Sequence, residues 1–559
     1  MTFRMARPTR REFIQKGLMA GALIVAPVSL LEACLGSSST PSAATAKKGG
    51  HLVFGGADPT TLNPILSTDL ATQSIAGLMF DSLEQTDDQE KSVPQLAESA
   101  ASISSDLLTY TYKLRSGIKW SDGQPITADD VVFTFRLLYA PEYKDVAFAD
   151  RGTAEDVFES VTAQDPQTVV IKLRHVFVEW PSYFGIVEIL PKHVLGSLSS
   201  NAFNTSAFNS APSVTSGPFK FVKWDKGSQV TLARNDNYYL GAPLLDGFIA
   251  RTISGDAASS LLTGEIDFSN VIVPADVDRL KRGNVNVLMP EGRVLYMCPN
   301  LDPSKHGYKL FGDKNVRQAL MYALDRKGIV SGGFLGLGEV SDSPFDHSMW
   351  AYDPQVQPKY TYDKAKAESM LDAAGWSKNA NGIREKNGVQ MVFECPVRND
   401  LQQWVTMAEI VQAQWGQIGV QMTIRQTTLA AWADILTNSR NFDMTISSIT
   451  WGGGADPAQL SQFFGSIGAA PGGFNGGDYL NNQMDQLLAK ANSTSDRAAQ
   501  KATYTQVQNL FMDELPGIVI VAAPNLWGLT NRVQDLQIGG WTEFVNWYWI
   551  NKVWVTSGQ

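Results

Sequence analysis

Tyr110-Thr111-Tyr112-Lys113-Leu114-Arg115-Ser116-Gly117-Ile118-Lys119-Trp120-Ser121-Asp122-Gly123-Gln124-Pro125-Ile126-Thr127-Ala128-Asp129-Asp130-Val131 is the most informative stretch of this 559-residue chain. Its first five residues alternate with period two, the pattern of a half-buried strand. Two glycines and a proline then mark turns. Thr127 followed three residues later by Asp130 predicts a capping box opening a helix over 131–139, which Pro141 ends. Ser116-Gly117-Ile118-Lys119 matches S-x-x-K in form, but it lies in a turn and not at a helix start, so it carries no catalytic expectation.

The same alternation of periods runs through the rest of the body. Val169-Val170-Ile171-Lys172-Leu173 and Val420-Gln421-Met422-Thr423-Ile424 read as strands. Helical stripes are formed by Val316, Ala319, Leu320, Ala323 and Leu324, by Ala367, Met370, Leu371 and Ala374 before Gly375, and by Trp404, Ala408, Val411, Trp415 and Ile418 before Gly419. Helix followed by strand, repeated, predicts α/β lobes, and no short repeat suggests a solenoid. At 61.0 kDa the chain has room for two large lobes or three to four domains. Its 44% apolar and 18% charged residues are ordinary for a globular protein. A net charge of −10 and a pI near 5.2 leave no basic face for nucleic acid. Three cysteines make no disulfide scaffold.

The first 50 residues read as an address. Arg4, Arg7, Arg10, Arg11 and Lys16 outweigh Glu12 and Glu32, and an apolar run over 17–31 follows. That run is short for a bilayer span and has the anatomy of an export signal. Thr9-Arg10-Arg11-Glu12-Phe13-Ile14-Gln15-Lys16 resembles the twin-arginine signal of bacteria; the alternative is a general secretory signal with a chance Arg pair. Leu31-Glu32-Ala33-Cys34 resembles a lipobox, in which Cys34 becomes the lipid-modified first residue, although Glu32 stands where a small neutral residue is usual. Cleavage after Ala44-Thr45-Ala46 is the alternative. Residues 34–48 are small and polar, a flexible leash reaching ~20 Å. The expected location is the outer face of the cell membrane, held by lipid, or the periplasm.

Catalytic signatures are missing. No G-x-S-x-G, G-x-x-x-x-G-K-[ST] or H-E-x-x-H stands in the chain, and His51, His175, His193, His306 and His347 are scattered without metal spacing. No catalytic residue, metal or cofactor is expected. Cys298 and Cys395 lie in strand-like runs, either paired or as two buried thiols. Among 14 tryptophans, Trp451 stands out, because Gly452, Gly453 and Gly454 after it leave backbone groups open to a ligand in the loop that ends at Asp456-Pro457.

The order of segments resembles the family 5 extracellular solute-binding proteins of ABC importers, the dipeptide and oligopeptide receptors. The resemblance covers about 49–555. It rests on Thr61-Leu62-Asn63-Pro64, Met79-Phe80-Asp81-Ser82-Leu83, Pro94-Gln95-Leu96-Ala97-Glu98-Ser99 with the stretch quoted first, Ile189-Leu190-Pro191-Lys192-His193, Ser216-Gly217-Pro218-Phe219-Lys220, Arg234-Asn235-Asp236-Asn237-Tyr238-Tyr239, Leu262-Thr263-Gly264-Glu265-Ile266-Asp267, the run from Val316 to Arg326, and Ala373-Ala374-Gly375-Trp376. It implies an α/β two-lobed clamp of the periplasmic-binding-protein type (class II) with an extra subdomain in the first lobe. Lobe I would comprise 49–82, 212–290 and 520–559, the inserted subdomain 83–211, and lobe II 291–519, with crossings near 289–295 and 516–523. The signature over 94–131 would then serve architecture rather than ligand contact.

The resemblance further implies a monomeric receptor that closes on a peptide and hands it to permease subunits driven by an ATPase. Dipeptide receptors of this family hold the peptide amino end with an Asp in a W-x-x-D segment. The matching position here is Gly454, and Asp456 is the nearest carboxylate. An Arg after the Pro-Val strand grips the peptide carboxylate there, a role that Arg398 matches in Cys395-Pro396-Val397-Arg398. Ser67 and Thr68 would contact ligand from the first lobe, and Thr450 to Gly454 from the second. Gly454 and the aromatic supply leave an oligosaccharide or other polar solute open as ligand. A secreted hydrolase on this scaffold and a sensor that presents ligand to a signalling receptor are the readings from other classes.

Overall fold

The computed structural model describes residues 46–67, 69–87, 91–148, 151–178, 180–253, 255–290, 292–450, 457–470, 473–537, 547 and 549–556, except the side chains of residues 182 and 450. The leader with Cys34, Thr68 and the segment from Trp451 to Asp456 lie outside them. Among the described residues no helix is long and apolar enough to cross a membrane.

Two sheets organise the body. The first has seven strands in the order Val285–Leu288, Trp527–Thr530, Phe268–Ser269, His51–Gly56, Gly247–Thr252, Gln229–Arg234 and Phe219–Asp225. His51–Gly56 runs parallel to both of its neighbours, and the outer pairs are antiparallel. The second sheet is antiparallel, in the order Glu339–Val340, Ile518–Ala523, Arg293–Pro299 and Met444–Thr450. Beside it Val392–Arg398 pairs in parallel with Gln421–Thr427, and Thr445 Oγ1 donates to the Pro396 carbonyl at 2.6 Å. The second sheet has its own core, drawn only from 294–523 and including the fully buried Trp404 and Trp415.

The stretch that decided the fold sits in a third, four-stranded antiparallel sheet: Ser102–Ile103, Thr109–Lys113, Thr168–Leu173, Phe158–Asp165. Tyr110 and Tyr112 are buried on one face, as the alternation requires. The helix Ala128–Tyr139 starts at Thr127, with the reciprocal capping box to Asp130, and ends where Ala140 adopts an extended conformation before Pro141. Gly117 is left-handed in the turn that carries the S-x-x-K look-alike.

The motifs that carried the family resemblance converge in space. The amides of Ser216 and Gly217 both donate to the Met79 carbonyl, at 3.0 and 2.8 Å, and Asp81 N donates to Ser216 Oγ at 2.8 Å. A Cβ on Gly217 would lie 2.7 Å from the Met79 carbonyl carbon, so this crossing needs glycine. Gln95 Nε2 and Tyr238 OH donate to Asp81 Oδ1 at 2.7 and 3.3 Å. Lys192 N donates to Asp130 Oδ1 at 2.9 Å and Leu190 N to Thr134 Oγ1 at 2.9 Å. These motifs therefore lock the third sheet's subdomain to the first sheet.

The helix Lys364–Ala373 ends before left-handed Gly375, as read from the sequence. The next helix, Gln402–Gly416, stops short of Ile418. The amides of Ile418 and Val420 both turn back to the Trp415 carbonyl, at 3.0 and 3.1 Å, and Gly419 takes φ +86°. Cys298 and Cys395 are two buried free thiols. Burial pushes the Cys298 thiol up to about 12 and Cys395 higher still. Four of the histidines each face a carboxylate: His175–Asp156, His193–Asp122, His306–Asp443 and His347–Glu339.

Candidate functional site

The chain crosses between the two sheets twice, and the crossings are tied together. Residues 289–292 join Val285–Leu288 to Arg293–Pro299, and residues 524–526 join Ile518–Ala523 to Trp527–Thr530. Asn525 N donates to the Pro290 carbonyl at 2.8 Å, and Arg293 Nη2 and Nε reach Asn525 Oδ1 at 3.1 and 3.3 Å. The strand Ile518–Ala523 stays wholly in the second sheet, so this crossing lies just beyond the 516–523 expected from sequence. Two short connections at element ends are the construction of a hinge.

Two pairs of strand ends lie on the second-sheet side. Arg398 pairs with Thr427 at the carboxyl ends of their parallel strands, and Arg293 pairs with Thr450. Open α/β sheets bind ligands outside such carboxyl ends. Arg398 is the last residue of the strand Val392–Arg398. Its Nε and Nη2 donate to Asp400 Oδ1 and Oδ2 at 3.0 and 2.6 Å, a two-pronged pairing. Its guanidinium carbon lies 5.5 Å from the ring centres of both Trp404 and Trp432. Those indoles meet edge to face at 5.8 Å, and Trp432 Nε1 is fixed by Thr445 Oγ1 at 3.2 Å and the Ile446 carbonyl at 3.1 Å. Burial pushes the Asp400 carboxyl up, but the hydrogen bonds and charge of Arg398 outweigh it and hold the group below the ordinary carboxylate range. The Arg-x-Asp spacing was visible in the sequence; the two indoles reach the site from helices that no local pattern connects.

On the first-sheet side, Ser67 belongs to a loop closed by hydrogen bonds. Ser67 Oγ and Thr60 Oγ1 donate to Asp69 Oδ2 at 2.5 and 2.6 Å, and Asp69 Oδ1 caps the helix Leu70–Ala76 through Thr72 N at 2.8 Å. Burial raises the Asp69 carboxyl, but the hydroxyls of Ser67, Thr60 and Thr72 more than offset it, so it ionises below its usual range. Neighbouring Thr60, Thr61 and Leu66 line a hollow of about 410 Å3 with Asn209, Trp224 and Lys226. Every residue lining that hollow falls within 60–226. Of the other expected ligand contacts, Thr68, Trp451, Gly452, Gly453, Gly454 and Asp456 lie outside the described residues, as does the Thr450 side chain.

One contact spans the boundary directly. Gln462 Nε2, on the helix Leu460–Phe464 that packs with the second core, donates to Thr153 Oγ1 at 3.1 Å on the helix Arg151–Val157. Both residues are buried. Nothing in the sequence marked this pair, 309 residues apart.

A second unforeseen feature is an acidic pair, Asp81 and Glu188. Asp81 is fully buried and makes no ion pair among the described residues, and Ser82 bridges to Glu188. Burial raises Asp81 to about 7 against the opposing hydroxyls of Tyr239 and Tyr238. Burial, with the charge of Asp81 adding to it, raises Glu188 to about 7. Among the described residues no group of three or more His, Cys, Asp or Glu is placed to hold a metal ion.

The chain matches the family model described as bacterial extracellular solute-binding proteins, family 5 middle, over residues 91–471. It is 32% identical over 513 residues to the oligopeptide-binding protein AppA of Bacillus subtilis (strain 168), covering 89% of this chain and 92% of that one. The solved structure of AppA from Bacillus subtilis in complex with a nonapeptide superimposes with a TM-score of 0.81 at 29% identity, covering 92% of this chain and 100% of that chain. NikZ from Campylobacter jejuni in complex with Ni(L-His) gives a TM-score of 0.78 at 26% identity, covering 90% and 99%. The fold is thus the two-lobed α/β clamp of periplasmic binding proteins, and the chain belongs to the family 5 bacterial extracellular solute-binding proteins.

Proposed function

We propose that this protein captures oligopeptides outside the cytoplasm by closing its two lobes on them and delivers them to the permease of an ABC importer. The observation that carries this reading is the match to AppA, 32% identical across 89% of the chain, together with the fit to the nonapeptide-bound structure. A ligand touching both lobes stabilises the closed state over the open one and shifts the population accordingly. We assign lobe I to 49–82, 212–290 and the segment after the second crossing, the inserted subdomain to 83–211, and lobe II to the sequence between the crossings. The proposed ligand contacts are Ser67 and Thr68 from the first lobe, and Arg398, Thr450 to Gly454 and Asp456 from the second. The protein binds and does not catalyse. Export by the twin-arginine signal and lipidation of Cys34 would hold it, as a monomer, on the outer face of the membrane.

A different small polar solute is the second reading, supported by Gly454 at the position of the amino-end carboxylate and by the same fold carrying Ni(L-His) in NikZ. Mass spectrometry of what co-purifies with the native protein, followed by thermal shift with the compound found, separates the two. Peptides of several residues support import of peptides; a sugar or metal chelate overturns it.

A further inference from the structure

We infer that Asp400 masks Arg398, so that the second-lobe wall of the cleft takes a neutral or cationic stretch of a bound peptide and does not read a free terminal carboxylate. The inference rests on the proposed peptide-binding function and concerns which peptides are held. Its basis is the geometry of the pair. Both donors on the fork edge of the guanidinium are taken by both oxygens of one carboxylate, at 3.0 and 2.6 Å. Trp404 and Trp432 stand together on one side of the guanidinium, their ring centres each 5.5 Å from its carbon and 5.8 Å from each other. What remains accessible is unequal. The Arg398 side chain is 18% exposed and that of Asp400 43%, so the more open member of the pair is the acid.

An approaching carboxylate therefore meets a negative group in front of a neutralised cation. Whether it displaces Asp400 from the Nε–Nη2 edge or approaches Nη1, it does so beside Asp400, which sits two residues along the same backbone and stays nearby as a like charge. Trp432 is pinned by two hydrogen bonds and Trp404 is fully buried, so the side of the guanidinium on which they stand is closed to a ligand. An amide, a main-chain carbonyl or a basic side chain meets no such opposition, and a Lys or Arg side chain gains from Asp400. Asp400 is thus a specificity-determining residue: it converts an arginine suited to gripping a peptide end into a wall past which a longer chain can run.

The test uses one random-sequence library of penta- to nonapeptides, synthesised once with C-terminal carboxylates and once as carboxamides, mixed in equal amounts. Peptides retained by the folded full-length protein are counted by mass spectrometry. The expected result is an acid-to-amide ratio within about twofold of one for the native protein, and a rise of about tenfold, equivalent to ~1.4 kcal/mol, for Asp400→Asn. Arg398→Ala should remove that gain when combined with Asp400→Asn. Retention of acids about tenfold over amides by the native protein overturns the inference without any variant. An unchanged ratio in a folded Asp400→Asn, or in Asp400→Ser should the first fail to fold, overturns it equally. If neither form is retained by the native protein, the peptide-binding reading itself falls, and the inference with it.

Discussion

Removing the hydroxyl of Thr153 probes whether the inserted subdomain takes part in closure. Thr153→Val replaces the hydroxyl with a methyl of similar size, and Gln462 then loses its acceptor across the boundary. A buried neutral hydrogen bond contributes ~0.5–1.5 kcal/mol net, more when the abandoned partner stays buried. If the bond exists only when the lobes are together, that energy is lost from the liganded state alone. The closed-to-open ratio, and with it peptide affinity, then falls by a factor of ~2–12. Calorimetric titration with a peptide that the native protein binds reads this directly. The melting temperature of the ligand-free protein should hold within a degree or so, because the open form makes no use of the bond. Gln462→Ala should act alike, and the double variant should be no weaker than the worse single one. Equal affinity in all three, or a large drop in the ligand-free melting temperature, would refute the idea that this bond spans a moving boundary.

The acidic pair predicts an inverted pH response. Asp81 and Glu188 ionise near 7 in the folded protein and in the ordinary carboxylate range when unfolded, so between that range and about pH 7 the folded state binds more protons. Stability therefore falls as pH rises through this window, by at most ~1.4 kcal/mol per pH unit for each group. Melting temperatures between pH 5 and 8 should show the decline, and Asp81→Asn, which keeps an oxygen for Gln95 and Tyr238, should flatten it. Gly419 is left-handed, and an added Cβ would lie 2.6 Å from the Gly382 carbonyl oxygen; Gly419→Ala should cost ~1–3 kcal/mol in a denaturant titration. Cys34→Ser should move the protein from the membrane to the soluble fraction; unchanged partition would reject lipidation at that residue.

The capping box at Thr127, the buried faces of Tyr110 and Tyr112, and the glycine stop after Ala373 were legible because each is set by neighbours a few residues away. The end of the helix Gln402–Gly416 was misjudged by two residues: Ile418 continues the apolar stripe, but its burial comes from a turn that folds back on Trp415. The site was legible only in outline. Arg398 was singled out from its place in a strand-like run, but its pairing with Asp400 and its nearness to indoles brought in by two separate helices are tertiary. The Thr153–Gln462 bond and the burial of Asp81 are products of tertiary packing between distant segments, and periodicity carries no trace of them. The motifs strongest in sequence, around Asp81, Gln95, Ser216 and Tyr238, proved to be a structural junction, which is why they announced the fold more clearly than the ligand.

Lobe closure on a peptide is the claim on which the rest depends, and small-angle X-ray scattering from the purified protein tests it most directly. With a peptide shown by calorimetry to saturate the protein, the radius of gyration should fall and the pair-distance distribution should narrow beyond error. Superimposable profiles with and without that bound peptide would contradict the clamp.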